Sequence, residues 1–368
     1  MNRAIKYRLY PTKKQTEYFL KCFGCCRFVY NQALNWRMAA YKADGTSLNY
    51  NDTAFGLTAL KRQFVWLKDA DSIALQQALR NLDKAYDSFF KKNGGFPKFK
   101  SSKHSRKSFT TINQNGTVSI SDDSVKLPKV GTVKAKIHRK PLPDWKLKSA
   151  TVSIDSDGKF YVSCLFEFDK LIYVVPTSDK AIGLDYKSDG LYMDSNGIVG
   201  SNHKYYRESH DKLAKEQRKL KHKTVGSSNY RKQQLKINRI HKHIANQRLD
   251  NLHKLSTEIT NQYDVVCVES LNMRSMSNKG FGNGKATMDN GYGLLLNLLE
   301  YKLADRGKHF VKVDKWFPST QLCSCCGNRI KLTLNQRIYK CGCGLTIDRD
   351  LNAAINIRNE GLRILLSA

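Results

Sequence analysis

The sequence predicts an α+β multidomain chain: a small basic β-barrel interrupted by a helical insertion, then an α/β half that contains a cysteine-rich hairpin. Three features of the 368 residues carry that expectation. The spacing of apolar residues changes from two to three-and-four and back within the first 175 positions. The second half alternates short apolar runs with long helical ones. Five of the ten cysteines crowd into residues 323–343.

Taken in order, residues 3–10 alternate apolar and basic side chains and stop at Pro11, the pattern of a strand with a charged outer face. From Lys13 to about Lys92 the spacing is helical, as in Phe19, Phe23, Cys26 and Tyr30, or Leu75, Leu79, Leu82 and Tyr86. Cys22, Cys25 and Cys26 lie on this apolar helix without a second pair nearby and are read as core. Gly94-Gly95-Phe96-Pro97 breaks the pattern, and a basic stretch follows. Short strands are then expected at 108–112, 118–120, 125–127, 133–137, 150–154 and 160–168, separated by turn signals such as Ser156-Asp157-Gly158. These strands and the first would close a barrel, with residues 12–95 inserted between them. Beyond a linker near Pro176, residues 181–184 and 190–193 read as a hairpin, and 264–268 and 309–313 as buried strands.

Charge narrows the partners. The 63 Lys and Arg against 32 Asp and Glu leave a net charge of +31, a field that attracts polyanions. Nucleic acid is the expected partner; the alternative is a solvated basic surface like those of ribosomal or membrane-surface proteins. Residues 204–254 hold 15 Lys or Arg against four acids, too few for compensating i,i+4 pairs, which favours contact with a phosphate backbone over a merely solvated face. No stretch approaches the roughly 18 to 20 apolar residues of a membrane span, and the first ten residues lack the apolar core of a signal peptide. A cytoplasmic location without a membrane partner is therefore expected.

Three carboxylates stand out. Asp185 closes the apolar run Ala181-Ile182-Gly183-Leu184, and Glu269 closes Val265-Val266-Cys267-Val268. An acid that ends a buried strand has to be solvated, paired or bound to metal, because an isolated buried charge costs several kcal/mol. Asp350 opens a helical segment, where it is either a third member of the set or a helix cap. Singly, each is more often structural. Together, two strand-end acids and one at a helix start can converge on a pair of Mg²⁺ ions, hard cations that prefer oxygen ligands and support phosphodiester hydrolysis.

The cysteine cluster is more specific. Cys323-Ser324-Cys325-Cys326-Gly327 and Cys341-Gly342-Cys343-Gly344, with 14 residues between Cys326 and Cys341, follow the spacing of a zinc ribbon. Cys323, Cys326, Cys341 and Cys343 are the expected Zn²⁺ ligands and Cys325 the spare, because Cys-x-x-Cys-Gly lets the first knuckle turn on glycine.

With these residues in view, the chain resembles the TnpB family, transposon-encoded RNA-guided nucleases related to the type V CRISPR effectors. The resemblance covers nearly the whole chain. It rests on residues 5–11 with Arg27-Phe28-Val29-Tyr30-Asn31, on Gly183-Leu184-Asp185, on Val268-Glu269-Ser270-Leu271, on Phe317-Pro318-Ser319-Thr320-Gln321-Leu322-Cys323, and on Cys341-Gly342-Cys343-Gly344 through Asp348-Arg349-Asp350-Leu351-Asn352-Ala353-Ala354.

The resemblance implies an oligonucleotide-binding-type β-barrel (1–11 and 96–178) and an inserted helical recognition lobe (12–95). An RNase H-like, RuvC-type α/β nuclease domain (179–317 and 345–368) containing a zinc ribbon (318–344) would follow. It implies catalysis by Asp185, Glu269 and Asp350 with two Mg²⁺ ions, one structural Zn²⁺, a guide RNA from the transposon end, and a double-stranded DNA target cut on both strands at one site. A short flanking motif in the DNA would be read by protein, with Tyr50, Gln76 and Thr110 at roughly the matching positions. The family pattern puts the metal ligand at Asp350 rather than Asp348. Three departures are visible: Lys187 stands where the family often has glycine, the second knuckle is Cys-x-Cys, and Ser72 and Ala54 replace motif-reading residues of some relatives. A transposase using the same RNase H-like chemistry, or a guided repressor lacking cleavage, are the other functions such a chain could have. The presence of all three acids argues against the repressor.

Overall fold

Strand-forming alternation at the N-terminus organises the first half of the molecule. The computed structural model describes residues 1–169, 177–201, 203–278, 284–333 and 335–367, and the chain divides into two units, Met1–Asp169 and Lys170–Ala368. In the first unit, β1 (Asn2–Tyr10) buries Ile5, Tyr7 and Leu9 and turns Lys6 and the other alternate residues outward. Helix α1 (Lys13–Asp44) starts at a capping box in which Thr12 and Gln15 exchange side-chain and backbone hydrogen bonds, and ends at Gly45 with φ +77°. Helix α2 (Tyr50–Gln63) has the same kind of box from Asn49 and Asp52, and α3 (Ser72–Phe90) is capped by Asp71. The strands β2 (Ser108–Ile112), β3 (Ser119–Ile120), β4 (Ser124–Leu127), β5 (Gly131–Lys136), β6 (Lys146–Ile154) and β7 (Phe160–Glu167) complete a seven-stranded sheet.

The sheet order is β2-β6-β7-β1-β5-β4-β3, so β1 is paired on both sides and β2 and β3 stand at the edges. Its pairs are antiparallel. One core joins its inner face to α1 and α3, and Cys22, Cys25 and Cys26 are buried in it. The strand expected at 150–154 begins four residues earlier, at Lys146, because its basic first half carries a single apolar residue, Leu147, to mark it.

The second unit is a four-stranded sheet between helices. Strands β8 (Ala181–Tyr186), β9 (Tyr192–Asp194), β10 (Val265–Glu269) and β11 (His309–Val313) are ordered β11-β10-β8-β9, with β10 parallel to both β8 and β11 and β9 antiparallel to β8. Helices α4 (Tyr205–Glu208), α5 (His210–Lys221) and α6 (Ser228–Gln262) connect β9 to β10. After β10 come α7 (Met273–Met276), α8 (Gly284–Asn290) and α9 (Tyr292–Asp305), and α10 (Arg349–Leu366) ends the chain. Between β11 and α10, β12 (Ile338–Lys340) and β13 (Thr346–Asp348) form a two-stranded hairpin. This hairpin continues to Asp348, past the expected end of the ribbon at residue 344.

The period of two sorts the central strands between two cores. Ile182, Leu184, Val266 and Val268 pack with residues of α6 and α9 on one face. Ala181, Val265 and Cys267 pack with Ile357 of α10 on the other. Strands buried on both faces read as continuous apolar runs, as these do. No described helix is long and apolar enough to cross a membrane.

Candidate active site

The register that sorts the cores also sets the acids side by side. Pairing between β8 and β10 runs in parallel from Ala181↔Val265 to Leu184↔Val268, so the next residues, Asp185 and Glu269, end adjacent strands at the same level. Counting by two from Ala181 and Val265, both acids lie on the face that α10 covers. Helix α10 can lie close because the strand beneath it offers no side chain: a methyl group on Gly183 would overlap the carbonyl oxygen of Ala354 and come within 2.7 Å of the Arg358 amide. One turn further along α10, a methyl on Gly361 would strike the thiol of Cys267. Two glycines, one on each partner, thus permit the approach that brings the first turn of α10, and Asp350 in it, to the acid pair.

The cap of α10 is Asp348, whose Oδ1 accepts from the backbone amides of Asp350 and Leu351 at 2.8 and 3.0 Å. That leaves the Asp350 carboxylate for the cluster, where its charge acts on Asp185. Asp185 is 9% exposed. Burial, followed by the charges of Glu269 and Asp350, pushes its carboxyl up to about 8, and burial raises Glu269 as well. Among the described residues no donor hydrogen-bonds to the side chain of either Asp185 or Glu269. Asp350 differs: Lys187 Nζ stands 2.7 Å from its Oδ2 and Arg349 Nε 3.6 Å from its Oδ1. Asp185 feels the charge of both other acids, and it and Glu269 lack a hydrogen-bond donor among the described residues, a ligand type that suits a hard divalent cation; unlike the thiols, the three carboxylates do not all bring oxygens within 4.8 Å of one another.

Below this site, the cysteines meet as the spacing predicts. Cys323 and Cys343 place their sulfurs 3.6 Å apart, Cys326 and Cys341 3.5 Å apart, and all four lie within 4.8 Å of one another. A tetrahedron of thiolates about 2.3 Å from a zinc ion has edges of about 3.8 Å, so the donor set fits that ion. Gly327 and Gly344 follow the second cysteine of each knuckle with φ +74° and +95°, conformations that need glycine. Cys325 is exposed and outside the group. The cluster is tied to the carboxylates by α10: Asn352, fully buried, donates to the Leu322 carbonyl at 2.6 Å and accepts from the Ser324 amide at 3.0 Å, while Asn356 donates to the carbonyls of Ser319 and Leu322. The sequence reading quoted Asn352 only as part of a motif and did not single out Asn356; two buried asparagines at i and i+4 were the available signal.

In the first unit, the residues expected to read DNA lie on α2, α3 and β2. Tyr50 opens α2 and carries the guanidinium of Arg80 over its ring at 4.2 Å; Gln76 is exposed on α3, one turn before Arg80. Thr110 on β2 shares a 2.8 Å hydrogen bond with Thr151. Of these three only Thr110 lines the open cleft of about 570 Å³ between α1, α3 and the 98–108 segment, together with Arg27, Lys100, Arg106 and Lys107. The Lys100 ammonium sits 3.7 Å from the centre of the Tyr30 ring, and burial lowers its pKa. Asn31 holds the Lys100 backbone through both its N–H and its C=O. Arg27, Arg80 and Lys100 were missed as functional candidates, although Phe96-Pro97-Lys98-Phe99-Lys100 interleaves basic and aromatic residues. In α5 and α6 of the second unit, Glu216 and Asp250 pair with Lys219 and Lys254 and Arg248 reaches Asp289, which leaves a large excess of cations.

Comparison with known proteins gives the family. A family model described as "Probable transposase", of the IS605 OrfB type, matches residues 171–279, the span that holds Asp185 and Glu269. A "Cas12f1-like, TNB domain" model matches 292–357, which holds the cysteines and Asp350. A "Helix-turn-helix domain" model matches 1–46, which here form β1 and the single long helix α1. A Streptomyces pristinaespiralis protein carrying the name "Putative RNA-guided DNA endonuclease" is 37% identical over 98% of this chain and 90% of its own length. The similarly named InsQ of Escherichia coli K12 is 31% identical over 99% and 93%. The fold is like that of a chain in the cryo-EM structure of a Cas12f1–sgRNA–target DNA complex, with a TM-score of 0.55 at 13% identity over 98% of this chain and 99% of that one. Sequence identity along nearly the full length, joined to the OrfB model over the acid-bearing strands, makes this chain a member of the TnpB family.

Proposed function

We propose that the protein is a transposon-encoded, RNA-guided DNA endonuclease that hydrolyses both strands of a DNA target beside a short flanking motif. What supports this is the register that puts Asp185 and Glu269 at one level of adjacent strands, on the face covered by α10, with the charge of Asp350 acting on Asp185. The names of the full-length relatives support the choice of guided cleavage over other RNase H-like reactions.

In this reading the three carboxylates hold two Mg²⁺ ions and the four thiolates one structural Zn²⁺. Bound there, Mg²⁺ supplies the positive charge that both an attacking water and a leaving phosphate oxygen require. The protein's own part is positional: β8 and β10 fix two acids by register, and α10 delivers the third under the restraint of Asn352 and Asn356. The excess cations of α5 and α6 and the basic cleft of the first unit bind nucleic-acid backbone without reading sequence. Sequence would come from base pairing with a guide RNA derived from the transposon end, and the flanking motif from side chains such as Tyr50, Gln76 and Thr110. One constellation implies that the two strands pass through the same site in turn.

Asp185→Ala, Glu269→Gln and Asp350→Ala should each reduce cleavage of a guided target to background while RNA and target binding persist. Undiminished cutting by Asp185→Ala protein would overturn the assignment. Sequencing the RNA retained on purified protein separates guided from unguided cleavage, with one discrete species ending beyond the transposon end expected and a smear of cellular RNA contradicting it. Joining of a labelled transposon end to target DNA would point to a transposase instead.

A further inference from the structure

One side chain inside the carboxylate cluster has no part in the reaction proposed above. Lys187 lies two residues after Asp185, just past the end of β8, and its ammonium is 2.7 Å from Asp350 Oδ2. Both side chains are mostly buried, at 21% and 13% exposure. The same ammonium is 3.9 Å from Asp189, which is 78% exposed. The three acids are therefore not alike. Asp185 and Glu269 accept no hydrogen bond from a described side chain, whereas Asp350 is engaged by a cation that belongs to the chain itself.

We propose that Lys187 is a resident counter-cation for Asp350, a positioning residue that holds this carboxylate before metal arrives, yields the oxygen to the metal, and so sets the metal affinity of the site. The inference rests on reading the cluster as a divalent-metal site. A hard cation takes carboxylate oxygens directly, and an ammonium hydrogen-bonded to the same oxygen competes for it. Lysine suits exchange better than arginine would. Its charge is compact and its stem flexible, so it can leave without dismantling a bidentate contact. The stem packs beside Gly190, and Asp189 offers the ammonium a solvent-facing partner to move to. A glycine at this position would leave Arg349, among the described residues, as the cation beside Asp350.

The test is Mn²⁺ binding to the full-length chain with its zinc retained, followed by electron paramagnetic resonance of the free ion, beside melting curves with and without Mn²⁺. Manganese prefers oxygen ligands, so the cysteine cluster does not mask the result. Lys187→Met should bind Mn²⁺ about tenfold more tightly or better, because a positive charge is removed from the ligand shell of a divalent ion. The same variant should melt lower than wild type without Mn²⁺ and recover the difference at saturating Mn²⁺, which a purely structural role would not produce. Lys187→Arg should stay near wild type or bind more weakly. In a double-mutant cycle, Asp189→Asn should weaken binding more in the wild type than in the Lys187→Met background. Should Lys187→Met not fold, Lys187→Gln carries the same expectation. Unchanged or weaker Mn²⁺ binding in a folded Lys187→Met protein would overturn the proposal. Asp350→Asn separates the two levels: if it leaves Mn²⁺ binding intact, the metal site itself fails; if it weakens binding while Lys187→Met does not tighten it, only the role of Lys187 fails.

Discussion

Two clusters of ligand-type side chains lie in the second unit, and they are built in opposite ways. The four thiolates come from one stretch of 21 residues, Cys323 to Cys343, on a hairpin with glycine-turned knuckles. The three carboxylates come from residues up to 165 positions apart, on β8, β10 and α10. Local spacing suffices to assemble the first. Assembly of the second depends on strand register and on how closely a helix approaches a sheet. The sulfur site should therefore fail by losing a ligand, while the oxygen site should also fail by displacement of parts that never touch a ligand.

The largest effect that would sharpen this contrast is Gly183→Ala. The added methyl meets the α10 backbone, which cannot yield as a side chain can. We expect about 1–3 kcal/mol of destabilisation from overpacking. Cleavage should fall about a hundredfold or more, because misplacing a reacting group by an ångström costs that much. RNA binding and zinc content should stay intact. If Gly183→Ala cuts at the wild-type rate, α10 does not place Asp350 as described. Asn352→Ala comes next: it leaves the half-buried Ser324 amide and the Leu322 carbonyl without this partner, costs about 1–3 kcal/mol, and should slow cleavage about tenfold, to the extent that the cysteine loop steadies α10. Cleavage unchanged after Asn352→Ala, in protein shown to be destabilised, would mean that the two clusters are independent.

Cys326→Ser should lower the zinc content from about one ion per chain toward zero and reduce the melting temperature, with a smaller loss of cleavage than Gly183→Ala at a temperature where the fold persists. Cys325→Ser, outside the tetrahedron, should change neither. At Asp185 the expected effect on stability is a gain. Burial and then the charges of Glu269 and Asp350 keep Asp185 protonated up to about pH 8, whereas an unfolded aspartate ionises near 4. Its contribution to stability in magnesium-free solution is thus present below about pH 4 and lost as pH rises towards 8. Asp185→Asn removes that loss and should stabilise the magnesium-free protein near neutral pH by about 1–2 kcal/mol while abolishing cleavage. A destabilised Asp185→Asn protein would show that the acids do not repel one another as their burial implies.

How far the sequence made this legible follows the same division. The cysteine cluster could be read from spacing alone, down to the spare Cys325. Asp185 and Glu269 stood out because each ends a run buried on both faces, and a charge there needs a reason. Asp350 could have been a cap from sequence; the structure gives that role to Asp348. Gly183 was visible only as part of a motif, since nothing local shows which helix will press on it. Lys187 was noted as a departure, but its pairing with Asp350 spans 163 residues and leaves no local trace. In the first unit, the helical stretch and the strands were readable from periodicity but not the division of that stretch into α1, α2 and α3, and the linear sheet order, with β2 and β3 at its edges, depends on long-range pairing. Of Tyr50, Gln76 and Thr110, Gln76 is exposed, and an exposed polar residue has no packing signature by which to find it.

The most direct measurement is anomalous scattering from crystals of the protein with its guide and target grown in Mn²⁺. Convergence of the three acids predicts manganese peaks within about 2.2 Å of carboxylate oxygens of Asp185, Glu269 and Asp350, distinct from a zinc peak among the four cysteines. Manganese bound elsewhere, with these carboxylates unligated in a cleavage-competent complex, would contradict it.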